Sequence, residues 1–397
     1  MKKARLGMLL ISALTGCILL AGCWSSSPIE ERNLEAGIAL DWISPDENGA
    51  SSAVGKESND SKQYIRRTVQ FVLPEKGDNS GAASPGKTFY NEQETGNSNM
   101  EMTRESYLSN QSPAGFHLKT IVIGSKLLEQ VPMNELLDFY LADNDIRLSL
   151  LLFTSTGMAS DAFKETHSGQ TPAFMLKDLF NNRSRSARMV KPVSLAKVIG
   201  PLKSGSSFIL PNVIVTKQGV KLSGAGIIRG KTREYGGHLS EIDVEGLQWI
   251  TGDLAGGIVR VAEPGSQRNF TYEIKSAKSE IKANVRGDEL SFHVTLTSTG
   301  RISESFVNKE NKGNNALLAK QADIVEERVI ALAQQAVAKM KSLRAEAAGF
   351  GKTVRIQHPA LWEQLKDDWD REFVAIPVTF SAKVHIEDYG ASIMTVD

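Results

Sequence analysis

The sequence predicts a multi-domain α+β fold, with mixed or antiparallel sheets covered by packed helices and one long helix in the C-terminal domain. Three observations lead there. Alternating apolar stretches of strand length recur along the chain, as at Ile38, Leu40 and Trp42 or at Val378, Phe380, Ala382, Val384 and Ile386. Residues 116–154 run strand, helix, strand, the succession of a sheet with a helix laid across it. Between residues 315 and 348, Leu318, Ala322, Val325, Val329, Leu332, Ala336, Met340 and Leu343 recur three and four apart, giving one apolar stripe. That stripe is broad and rich in alanine, which suits packing on its own sheet better than a coiled-coil seam.

The first element is a targeting signal. Met1-Lys2-Lys3-Ala4-Arg5 is basic, and a mostly apolar run to Leu20 follows. A positive start, a short apolar middle and small residues before a cut make a secretory signal. It ends in Leu20-Ala21-Gly22-Cys23, which resembles a bacterial lipobox. In such signals the cysteine receives a diacylglycerol and the chain is cut just before it, where Ala21 and Gly22 leave room for the peptidase. Two acyl chains, each contributing about 0.8 kcal/mol per buried CH₂, hold stably where one holds marginally. An uncleaved span is disfavoured, since crossing the hydrocarbon takes roughly 20 apolar residues and this run is shorter. A second string, Leu14-Thr15-Gly16-Cys17, would leave a shorter apolar middle, so Cys23 is the expected lipidation site.

Composition agrees with a folded body on that tether. The 397 residues carry 46 basic and 46 acidic side chains, a balance that argues against a nucleic-acid binder. Cys17 and Cys23 are the only cysteines, so a mature chain lipidated at Cys23 has no thiol left for a disulfide, a zinc site or a nucleophile. Four units are expected: a signal peptide at 1–22, an N-terminal α/β domain at 23–200, a strand-rich middle domain at 201–264 and an α+β domain at 265–397.

In chain order, the strand at Ile38–Trp42 is followed by a polar stretch, 44–62, and a second strand at 64–73 with Ile65, Arg67, Val69, Phe71 and Leu73 on one face. Residues 77–99 are rich in Gly, Ser, Asn and Glu and read as a mobile loop. They contain a formal phosphate-loop match from Gly81 to Thr88. Such a loop needs a helix straight after it, and residues 89–96 show no helical period. A buried strand is expected at 116–124, a helix at 133–141 and a second apolar strand at 147–154. Arg183, Arg185, Arg188 and Lys191 read as a solvated linker, with anionic headgroups as the alternative contact. Gly200-Pro201, Gly205 and Pro211 mark a boundary. Strands follow at 208–215 and 220–228, with a bulge at Gly224 and Gly226, then at 271–285 and 289–299 around the turn Arg286-Gly287-Asp288. Gly349 is expected to cap the long helix. His358-Pro359 opens a helix whose Trp362 and Trp369, seven residues apart, face one side and pack in the core.

Several strings carry a resemblance. Cys23-Trp24-Ser25-Ser26, Ile29-Glu30-Glu31 and Gly37-Ile38-Ala39-Leu40-Asp41 open the mature chain; Ile146-Arg147 and Leu247-Gln248-Trp249-Ile250 stand in its middle; His358-Pro359-Ala360-Leu361-Trp362 and Asp367-Asp368-Trp369 lie near its end. In order and spacing they resemble the C subunit of spore germinant receptors, lipoproteins of endospore-forming bacteria. The resemblance implies a non-enzymatic subunit on the outer face of the spore inner membrane, held by its diacylglycerol. It also implies integral-membrane A and B subunits as partners in a complex that responds to nutrients. Whether this subunit touches nutrient is left open.

The residues themselves show no catalytic set and no cofactor motif. The six histidines are scattered and lack metal-ligand spacing. Ser194-Leu195-Ala196-Lys197 has the spacing of a serine–lysine pair without the Lys-Thr-Gly that accompanies it. Asp367 and Asp368 are adjacent and diverge on a helix. The alternative function is an extracytoplasmic solute-binding lipoprotein or hydrolase, which requires a cleft lined by convergent polar groups.

Overall fold

The computed structural model describes residues 33–44, 64–73, 88–109, 113–164, 169–262, 269–287, 289–305 and 315–388. Cys23 and its lipobox, and most of the phosphate-loop match, lie outside them.

The first sheet is built from β1 (Asn33–Ile43), β2 (Tyr64–Val72), β3 (Phe89–Gly96), the two-residue β4 (Pro113–Ala114), β5 (Thr120–Gly124), β6 (Leu151–Ser155), β7 (Phe208–Thr216), β8 (Gly219–Ile228) and β9 (Tyr235–Leu239). Their order is β3-β2-β1-β5-β6-β7-β8-β9, with β4 beside β1. The centre is parallel and the wings are antiparallel hairpins. The helices α1 (Asn99–Ser109), α2 (Met133–Ala142), α3 (Pro172–Asp178) and α4 (Leu195–Ser204) come from the connections. Parallel strands need helical crossovers, which cover both faces, so the central strands are buried on both sides. β1 shows this: Ile38 and Leu40 enter one core with α2 and α4, while Ala36 and Ala39 enter another with α3. Ala36 and Ala39 share a face because a bulge between Glu35 and Gly37 shifts the alternation by one.

The second sheet holds β10 (Ile258–Ala262), β11 (Asn269–Arg286), β12 (Glu289–Ser305) and β13 (Val378–Ile386) in sequence order, with β13 parallel to β12. The helix α5 (Glu241–Thr251) and the 29-residue α6 (Asn315–Leu343) form its core with it. Val325, Val329, Leu332, Ala336 and Met340 of the predicted stripe are fully buried there. Ala225 and Ile227 of β8 and Leu239 of β9 join the same core, so the second sheet's packing runs on into the first sheet's edge. The strands expected in a middle unit at 201–264 are thus divided, β7 to β9 in the first sheet and β10 in the second.

Several local expectations are corrected. The supposed mobile loop contains β3, an edge strand whose Asn91 side chain donates to the Phe163 carbonyl. Its sequence lacks apolar alternation because even its inward face is only half-buried and carries polar side chains, Glu94 pairing there with Arg67. A strand after Thr88 also removes the helix that a phosphate loop requires. Residues 115–117 form a 3-10 turn, so that strand begins only at Thr120. Leu247-Gln248-Trp249-Ile250 lies in α5, within a stretch expected to be strands. Gly200 and Pro201 sit inside α4 and break nothing. The basic run is pinned down: Arg183 donates to the Asp253 carbonyl, Arg188 Nε to the buried Glu245 carboxylate at 2.9 Å, and Lys191 pairs with Asp253.

The C-terminal helices α7 (Phe350–Gln357), α8 (Pro359–Leu365) and α9 (Trp369–Ala375) close the second core. α6 stops before Gly349. Its end is a Schellman motif, with Ala345 N–H on the Met340 carbonyl and Arg344 N–H on the Lys341 carbonyl. Gly349, at φ +94°, instead precedes α7 as its N-cap. His358-Pro359 does open a helix, with proline in its first turn. α7 also covers an exposed backbone edge. β10 pairs with β11 only from Asn269 to Glu273, and beyond it the Gln357 side chain accepts from Ala283 N–H at 2.9 Å and donates to the Ile281 carbonyl at 3.3 Å.

α5 crosses α6 where Gly246 lies against Leu332. A Cβ on Gly246 would stand 2.0 Å from the Leu332 carbonyl oxygen, a backbone atom that cannot swing away. Alanine is the better helix former by about 1 kcal/mol, and overpacking costs about 1–3 kcal/mol. A backbone clash belongs at the upper end of that range. Gly246→Ala is therefore expected to destabilise the chain by about 2 kcal/mol in thermal unfolding; an unchanged or raised melting temperature would refute the close crossing.

Candidate functional site

Two hollows stand out among the described residues, each built on a buried polar framework. The first, about 510 Å³, lies between α1, α2 and β2, with apolar walls from Ile65, Met100, Leu136 and Phe139 and an acidic rim of Glu135, Asp138 and Asp143. Behind it Arg67, buried on β2, pairs with Glu94 of β3 and donates to the Thr103 hydroxyl. Asn99 donates to the Leu136 carbonyl at 3.1 Å and accepts from the Tyr140 hydroxyl at 3.1 Å. Glu35 is 9% exposed, and burial above all pushes its carboxyl up to about 7; the Arg67 charge pulls it down, while Glu94 and Asp143 push it up.

The second hollow is a groove of about 1060 Å³ where the α4–β7 and β8–β9 turns meet the C-terminal helices. Its floor is a chain of hydrogen bonds. Glu346, 6% exposed, accepts from Ala348 N–H at 2.6 Å and Gly349 N–H at 2.7 Å on one oxygen. Its other oxygen accepts from Gly351 N–H and from the Trp369 indole, both at 2.9 Å. Glu346 N–H donates to one Asp370 oxygen at 2.8 Å, and the Ser207 hydroxyl donates to the other at 2.6 Å. Ser207 in turn accepts from Gly230 N–H at 2.8 Å. Burial raises the Asp370 carboxyl above the usual aspartate range against those two donors. The chain joins turns of the first sheet to helices of the second core.

Trp362 and Trp369 meet edge to face with centroids 5.4 Å apart, although they stand on separate helices, α8 and α9, with a 3-10 turn between them. Trp369 also packs on Phe292 and Phe373, and Phe350 stacks on Phe373, so the expected core role holds for Trp369, whereas Trp362 is half-buried in the groove wall.

Other sequence candidates are placed apart. Ser194 precedes α4 as its N-cap, and the Lys197 amine donates to the Pro192 carbonyl. His293 bonds to Thr379 and Ser381, His358 caps α8, and His238 is half-buried on β9. Asp368 pairs with Lys231 and Arg371. Among the described residues no group of three His, Cys, Asp or Glu side chains is placed to hold a metal, and no helix is long and apolar enough to cross a membrane. Sequence reasoning missed Glu346, Asp370 and Glu35. The signal for Glu346 was a lone acid among alanines just before a glycine, in Ala345-Glu346-Ala347-Ala348-Gly349.

Comparison with known proteins bears on the whole chain. The family described as "Spore germination protein N-terminal domain" matches residues 25–215, and "Spore germination B3/ GerAC like, C-terminal" matches residues 223–390. The chain belongs to this GerAC-like spore germination family. Spore germination protein YndF of Bacillus subtilis (strain 168) is 34% identical, covering 98% of this chain and 98% of that protein. Spore germination proteins B3 and A3 of the same organism are 25% and 26% identical, each over 94% of this chain and 95% of its own length. The crystal structure of the GerBC protein aligns with a TM-score of 0.59 at 20% identity, covering 90% of this chain and 99% of that one, which shows a shared fold. Membership places the protein in spore germination and associates it with the spore.

Two outcomes follow for this GerAC-like chain. Trp369→Ala removes a buried indole and one of the four donors to Glu346, so a loss of about 3–5 kcal/mol is expected in denaturant unfolding. Normal stability would move Trp369 out of the core. Between about 4.5, the ordinary glutamate value, and about 7, the folded chain holds on Glu35 a proton that the unfolded chain has released, so stability falls as pH rises through that window. Glu35→Gln removes this dependence. Relative to wild type, the variant should gain roughly 3 kcal/mol between about pH 4 and about pH 8 in urea unfolding. A difference independent of pH would refute the buried, raised carboxyl.

Proposed function

We propose that this chain is the lipid-anchored C subunit of a germinant receptor complex, a non-enzymatic component needed for nutrient-triggered germination. In this reading Cys23 carries a diacylglycerol, Leu20, Ala21 and Gly22 form the lipobox, and the mature body stands on the outer face of the spore inner membrane. Its partners are integral-membrane A and B subunits. The observation that supports this most is end-to-end similarity to spore germination proteins, which extends across the two family domains. The polar groups around the two hollows fit a structural part. Arg67, Asn99, Glu346 and Asp370 are already satisfied by internal hydrogen bonds, whereas a catalytic acid or base needs a free face toward its substrate.

Mass spectrometry of the mature N-terminus tests the anchor. A diacylated Cys23 is expected, and Cys23→Ala should leave an unlipidated chain that no longer fractionates with spore membranes. An unmodified Cys23 in the wild-type protein would overturn the anchor. Co-purification from spore membranes tests the complex: two multispanning subunits should accompany the wild-type chain, and their absence under conditions that keep membrane complexes intact would count against it.

A further inference from the structure

We propose that the groove between the two sheets is a binding site for a phosphate-bearing ligand, gripped by Arg344, Lys352 and Arg355 beside the indole of Trp362. Four observations converge on it. The groove is large enough, at about 1060 Å³, for a small organic molecule. Its acids are mostly engaged: Glu346 and Asp370 accept internal donors, and Asp368 pairs with Lys231 and Arg371. Among the described residues Arg344, Lys352 and Arg355 line the groove, are exposed and have no carboxylate partner. Asp367 is the one lining carboxylate left to offset them, so the groove keeps an excess of positive charge.

The fourth observation is the backbone of Arg344. It occupies the left-handed position of the Schellman motif at φ +50°, where glycine is the usual residue. Among the described residues the other non-glycine residue at positive φ, Arg233, spends its side chain on the Leu202 carbonyl. Arg344 has no such internal use, yet an unfavourable backbone is kept with a guanidinium that opens into the groove. Strain of this kind is a reason to look for a function. Two guanidinium forks and an ammonium offer many N–H donors, which suits a phosphate with its several oxygens better than a single carboxylate. Trp362, half-buried in the same wall, gives a flat apolar surface for the organic part.

Titration calorimetry on the full chain in detergent tests this with sn-glycerol 3-phosphate, at ionic strength matched with chloride. Arg344→Gly is the decisive variant, because glycine relieves the left-handed strain and should leave the melting temperature unchanged or raised. Its affinity should nevertheless fall about tenfold, the scale of one lost charge-assisted contact. Arg355→Ala, on the exposed face of α7, should fall likewise. Lys278→Ala removes the same charge from an exposed position on β11 and should bind as wild type. A second arm replaces the soluble probe by short-chain phosphatidylglycerol in mixed micelles, with phosphatidylcholine as control. Tightening by phosphatidylglycerol that depends on Arg344 identifies a lipid headgroup, and binding of the soluble probe alone identifies a free phosphate compound. The proposal fails if wild type binds in neither arm, if Arg344→Gly binds as wild type does, or if Lys278→Ala weakens binding equally.

Discussion

The carboxylate of Glu346 accepts four N–H groups, and its own N–H donates to Asp370, whose far oxygen is held by Ser207. Much of the C-terminal architecture hangs on that arrangement. Ala348, Gly349 and Gly351 fix the tight entry into α7, and Trp369 fixes the start of α9. Without the carboxylate, several backbone donors at a helix start would be buried with nothing to accept them, each costing about 1–3 kcal/mol. A buried charge is itself expensive, and dense hydrogen bonding is what makes it tolerable here. Because Ser207 and Gly230 belong to turns of the first sheet, the same network also sets how the C-terminal helices meet that sheet.

This linkage explains why the two halves of the chain do not behave as beads on a string. Arg183, Arg188 and Lys191 reach from the end of the N-terminal segments to α5 and the loop after it, and Gln248 of α5 donates back to the Met189 carbonyl. β8 and β9 place their apolar faces in the core of the second sheet. Hydrophobic burial, ion pairing and a buried hydrogen-bond network thus join the halves at separate places.

How much of this was legible in the sequence depended on whether the signal was local. The stripe from Leu318 to Leu343 and the alternation of Val378 to Ile386 report one buried face each, and both elements formed as read. Periodicity fails where burial is total or nearly absent. β1 is buried on both faces and β3 lies at an edge, so alternation reports only half of the contacts of the first and gives the second the pattern of a loop. Gly349 misled because glycine serves at either end of a helix, and only the left-handed Arg344 revealed where α6 stops. The lipobox-like string from Leu20 to Cys23 is a local signal of the same kind, and it lies outside the described residues. Glu346, Asp370 and Glu35 give no local signal, since their partners stand on elements brought together only by the fold. An isolated acid in a sequence does not announce its donors.

Gln357 shows what such a fold needs on a crowded surface. Past Glu273, β11 has no strand on its outer side among the described residues, and a bare row of alternating N–H and C=O groups is a template for another chain. The Gln357 amide, an acceptor and a donor side by side, satisfies Ala283 and Ile281 as a neighbouring strand would. The His358 ring adds a contact to the Ala283 carbonyl at 3.3 Å. A single side chain thus acts as a surrogate strand. If the chain is lipid-anchored as proposed, copies tethered to one bilayer would meet each other at a high effective concentration, with edges held in similar orientations. Under that confinement, a stopper on the open edge favours assembly with chosen partners over sheet-to-sheet polymerisation of the protein with itself.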